Sequence, residues 1–161
     1  DTADIGSITQ PDIFLVWEKN IVSIEMKIGI KSSLEQVMKY ALLHYLEWQT
    51  SWVDKKSYLI YLWVWEFSTL RPDAYKNIEE LRNAIDVFDV NHIKKNKKID
   101  YAHYEKAIRT TLKNTTLAYI TYEDIVRFCE THRDEVQGNM QVMKLLQWLV
   151  DELKDRSLVA L

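Results

Sequence analysis

The chain has 161 residues, a net charge of −3, 47% apolar residues and three glycines. That composition suits one folded domain with a sizeable core. Three glycines and two prolines leave little room for linkers or disordered tails, and the acidic balance argues against a protein that coats nucleic acid by bulk charge. The single cysteine, Cys129, leaves no intramolecular disulfide and fits a reducing cytoplasmic setting.

Pro11-Asp12 opens an apolar run, Ile13-Phe14-Leu15-Val16-Trp17, which a polar turn at Glu18-Lys19-Asn20 separates from Ile21-Val22-Ser23-Ile24. Two β-branched and aromatic runs split by a turn predict a β-hairpin. With Glu18-Lys19 as a two-residue loop, paired residues have numbers summing to 37, which sets Asp12 opposite Glu25. Lys27, two residues on, shares the face of Glu25. The apolar Ile24, Met26 and Ile28 predict a buried opposite face. Phe14, Val16 and Ile21 predict cover on the face of Asp12. Charges on a covered face need partners or a metal. On an exposed strand the same residues would form an ordinary solvated charge pair.

Two carboxylates and one ammonium at one spot suit phosphodiester hydrolysis. Carboxylate oxygens hold Mg²⁺, a hard cation, and a nearby lysine can orient water or stabilise charge at phosphorus. Pro11-Asp12 with Glu25-Met26-Lys27 resembles the signature of the PD-(D/E)XK nuclease superfamily. The resemblance implies a restriction-endonuclease-like α/β fold, with a mixed sheet core of hairpin, helix and strand over residues 10–67. It implies Mg²⁺ or Mn²⁺ held by Asp12, Glu25 and the carbonyl of Met26, with Lys27 serving the attacking water. The family's opening helix and strand are not found in this sequence, where only ten residues precede Pro11.

Ser33-Leu34-Glu35-Gln36 reads as a capping box, with Gln36 reaching back to the N-cap. Leu34, Val37, Ala41, Tyr45 and Trp48 recur at helical spacing, predicting a helix to about Trp48. Gln36 and Tyr40 lie on one face of it. The resulting Gln-x-x-x-Tyr motif is similar to that of recombination-type and phage exonucleases within the superfamily. That likeness implies that both residues act beside the metal. Gln36 therefore has two readings, cap and site.

Residues 56–67 form a nearly continuous apolar and aromatic run, predicting a buried strand reached by a crossover. The second half, residues 75–156, reads as a mostly helical extension of the same domain. Helices are predicted over Asn77–His92, Tyr101–Leu112, Thr121–His132 (Thr121 as cap) and Met140–Asp155, with a strand over Thr115–Ile120. Lys94, Lys95, Lys97 and Lys98, together with Lys31 and Lys39, are the basic residues expected to meet nucleic-acid phosphates. No apolar run approaches the ~18 residues of a membrane span. The histidines show no zinc-ligand spacing. The expected activity is that of a Mg²⁺-dependent deoxyribonuclease acting on DNA. The alternative is a catalytically degenerate relative that binds nucleic acid or protein.

Overall fold

The computed structural model describes residues 8–27, 33–50, 56–63, 75, 77–93, 99–136 and 138–156, with backbone alone at 27, 63 and 136. It is a mixed α/β structure. Four strands, β1 (Ile13–Trp17), β2 (Asn20–Lys27), β3 (Lys56–Trp63) and β4 (Thr115–Thr121), form one sheet in the order β1-β2-β3-β4. β1 runs antiparallel to β2, whereas β2, β3 and β4 are mutually parallel.

The hairpin turns on Glu18, whose φ of 39° lies in the left-handed region. The tight turns that match strand twist require such a value at a central residue. Register follows from that loop, with Ile13 opposite Ile24 and Trp17 opposite Asn20. These are the pairs whose numbers sum to 37. Helix α1 (Leu34–Gln49) carries the chain back from β2 to the start of β3. Sixteen helical residues span about 24 Å and eight strand residues about 26 Å, so helix and strand match in length.

Alternation along the strands divides the interior into two cores. On one face, α1, α2 (Ile78–Val87) and α3 (Glu105–Lys113) pack Val37, Met38, Ala41, Leu81, Ile85 and Ile108 against Leu59, Tyr61 and Leu117. On the other, α4 (Tyr122–Thr131) and α5 (Met140–Asp155) pack Val126, Val150 and Leu153 against Ile24, Leu62 and Ile120. Among the described residues no helix is long and apolar enough to cross a membrane.

Several expectations need correction. α2 ends at Val87, and Val90–His92 is a separate 3-10 turn. The cause is local: Phe88 is extended, Asp89 takes the Asn91 N–H at 2.9 Å, and Arg109 takes the Asp86 and Phe88 carbonyls at 3.2 and 2.9 Å. α3 begins at Glu105, after a turn over residues 101–104. Cover over the hairpin is partial: Ile21 is buried and Phe14 half-buried, but Val16, on the edge strand β1, is 39% exposed, and Met26, beyond the last β1–β2 pair, is 42% exposed. Ile28, residues 64–67 of the third strand run, and residues 1–7 lie outside the described residues.

Candidate functional site

Glu25 lies near the carboxyl end of β2, where α1 begins. In open sheets with parallel strands, that end is where ligands bind. The β1–β2 ladder stops at Ile13 and Ile24. Every second β2 amide faces β1, so the next is Met26, and its N–H donates to Asp12 Oδ2 at 2.7 Å. A strand residue's N–H and C=O point to the same neighbour, so the Met26 carbonyl also opens towards the Asp12 side. Asp12 itself is exposed. Its charge, after burial, helps to raise the Tyr122 hydroxyl above its ordinary range, which places Asp12 close to the start of α4.

Glu25 is 7% exposed and faces α1. Gln36 Nε2 donates to Glu25 Oε1 at 2.8 Å and to the Tyr40 hydroxyl oxygen at 2.8 Å. Tyr40 O–H donates to Glu25 Oε2. The three side chains thus close a ring of hydrogen bonds, in which both hydrogens of the Gln36 amide are used. Tyr40 is fully buried, and its hydroxyl is held far above the ordinary tyrosine range. Burial is the main cause, followed by the hydrogen bond to Glu25 and that residue's charge. Tyr40 is therefore a fixed neutral donor to a buried carboxylate.

The capping-box reading of Gln36 is corrected by this geometry. Ser33 Oγ accepts from the Gln36 backbone N–H at 3.2 Å, so the N-cap is real. The Gln36 side chain instead serves Glu25 and Tyr40, because a buried carboxylate without donors costs far more than an open cap.

Lys27 is paired through its backbone with Trp63, one alternation beyond Glu25; its side chain lies outside the described residues. So do Lys31, Lys94, Lys95, Lys97 and Lys98. Lys39 is engaged on α1 by Glu35 at 2.5 Å. Among the described residues, no three His, Cys, Asp or Glu side chains are grouped to hold a metal. Asp12, Glu25 and the Met26 carbonyl each offer oxygen atoms, the donor type that Mg²⁺ takes.

No family model, curated protein or solved structure matches the chain.

Reading the sequence also missed a second set of polar residues beside the first. Ser23, two residues before Glu25, and His44, four beyond Tyr40, are fully buried and bonded to each other at 2.7 Å. Their signal was a serine inside the apolar run 21–24 and a histidine at helical spacing from Gln36 and Tyr40.

Proposed function

We propose that this protein is a metal-dependent deoxyribonuclease with a restriction-endonuclease-like core. One observation carries the proposal: the Gln36 side-chain amide, with Tyr40, engages the buried carboxylate of Glu25 at the carboxyl end of the parallel strands of a mixed sheet. Asp12, Glu25 and the Met26 carbonyl would hold Mg²⁺ or Mn²⁺. When bound, the ion supplies polarisation of a phosphoryl oxygen and a more acidic water. The chain's own residues orient the site. Gln36 and Tyr40 fix the Glu25 carboxylate in one rotamer, so its oxygens need little reorganisation. Tyr40, kept neutral, donates a proton to no substrate and acts as an anchor. Lys27, next on the Glu25 face by alternation, is assigned to the attacking water or to charge at phosphorus.

A degenerate, binding-only relative is the second reading, and it draws on Asp12 Oδ2 being engaged by the Met26 N–H. Incubation of linear, nicked and circular DNA with Mg²⁺, Mn²⁺ or EDTA separates the two. Cleavage that EDTA abolishes supports the nuclease, whereas binding without cleavage under every metal supports the second reading. Within an active protein, Lys27→Ala is expected to cut turnover by at least a hundredfold while the melting temperature stays within a few degrees. Unchanged cleavage in Lys27→Ala would remove that residue from the chemistry.

A further inference from the structure

The buried residues beside the Glu25 ring form a continuous chain. Ser23 Oγ lies 2.7 Å from His44 Nε2, His44 Nδ1 lies 2.5 Å from Ser57 Oγ, and Ser57 Oγ lies 2.8 Å from Thr115 Oγ1. Thr115 Oγ1 in turn donates to the Thr111 carbonyl at 2.7 Å. Those five residues come from β2, α1, β3, β4 and α3. Every one is at most 4% exposed.

The last link fixes the direction of all the others. A carbonyl only accepts, so Thr115 spends its one hydroxyl hydrogen on Thr111. Thr115 must then accept from Ser57, and Ser57, its hydrogen spent, must accept from His44. His44 is therefore the Nδ1–H tautomer, and its bare Nε2 accepts from Ser23. A proton on Nε2 would face the Ser23 oxygen with a second donor and strip the serine hydrogen of its acceptor. Burial pushes the imidazole down to about 4, in the same sense. Among the described residues, those shown against the ring are Phe14 from β1, with ring centroids 6.0 Å apart, Ser23 from β2 and Ser57 from β3, and none of these is charged.

His44 follows Gln36 and Tyr40 along one face of α1 at intervals of four, and Ser23 precedes Glu25 on one face of β2. Among the described residues, the helix thus meets β2 through polar contacts at the Glu25 ring and at His44. Apolar packing permits sliding; a directed chain anchored in three strands does not. We propose that His44 is a positioning residue: as the neutral Nδ1–H tautomer it fixes α1 against β2, β3 and β4 and so holds Gln36 and Tyr40 on Glu25. No substrate reaches it, so its action passes through the helix. The proposal rests on the nuclease reading only for its effect on catalysis.

Nuclear magnetic resonance of the metal-free protein tests it. Long-range proton–nitrogen correlations are expected to show His44 protonated at Nδ1 alone between pH 5.5 and 8; an Nε2–H tautomer overturns the proposal. The variant Ser23→Ala/His44→Phe/Ser57→Ala removes the chain without stranding its partners. With native circular dichroism, it is expected to exchange the Gln36 side-chain amide hydrogens at least tenfold faster. His44→Gln, which can accept and donate at once, is expected to restore most of the protection. Native protection of Gln36 in the triple variant overturns the positioning role. If the protein cleaves DNA, the triple variant should lose at least tenfold in kcat with KM within twofold. Absence of cleavage sinks the nuclease reading and leaves both resonance measurements standing.

Discussion

Gln36 shows how one residue's role is settled by its surroundings. Its two amide hydrogens satisfy Glu25 and Tyr40 at 2.8 Å each. Gln36→Glu would keep the side-chain shape and set a second carboxylate against the first. At about 4 Å and an effective dielectric near 20, two like charges repel by on the order of 4 kcal/mol. The substitution is therefore expected to destabilise the fold markedly at pH 7, although glutamate is a favoured residue at this helix position. Acidification allows the pair to share a proton, so the deficit should shrink between pH 7 and pH 5. Denaturant titrations at the two pH values check this, and a variant as stable as the parent at pH 7 would return Gln36 to the cap. The sequence showed Gln36 and Tyr40 on one face; it could not show the choice between cap and carboxylate. That choice depends on a strand eleven residues away.

Elements divide by how local their causes are. The hairpin register was legible because a two-residue loop and a period of two leave one solution, and α5 follows its sequence pattern from Met140 to Asp155. α4 was legible too, since Thr121 and Asp124 form a closed capping box within four residues. The end of α2 was not, because Arg109, more than twenty residues on, takes the carbonyls that a longer helix would use. Partial exposure of Val16 and Met26 was equally hidden, since alternation reports a face and not what covers it. The turn carries a local cost of its own. Glu18 holds φ at 39°, where an ordinary side chain crowds the backbone and asparagine is better tolerated. Glu18→Asn is expected to stabilise the protein by roughly 0.5–1 kcal/mol, read as a higher midpoint at constant m-value. A lower midpoint would show that the glutamate makes a compensating contact.

For the whole molecule, the buried imidazole ties stability to pH. The folded value of about 4 lies below 6.5 for the unfolded chain, so the unfolded chain binds more protons between these limits. The His44 contribution is full above pH 6.5 and is lost as pH falls towards 4. It amounts to on the order of 3 kcal/mol. Unfolding free energies measured from pH 7 to 4 are expected to fall more steeply for the parent than for Ser23→Ala/His44→Phe/Ser57→Ala. Parallel curves would mean that the carboxylates alone set the acid response.

Strand order gives the sheet a history as well as a shape. The hairpin closes over two residues, Asn20 meets Lys56 across α1, and Ser57 meets Thr115 only 58 residues later. Longer loops close at greater entropic cost, so β4 is expected to dock last. Pulsed hydrogen exchange during refolding should protect the amides of Thr115–Thr121 after those of β2 and β3; protection of β4 first would refute the order. Until β4 arrives, Ser57 lacks Thr115 as its acceptor, and nothing dictates which nitrogen of His44 bears the proton. The imidazole takes its final tautomer when the last strand arrives, which makes one proton a marker of completed folding.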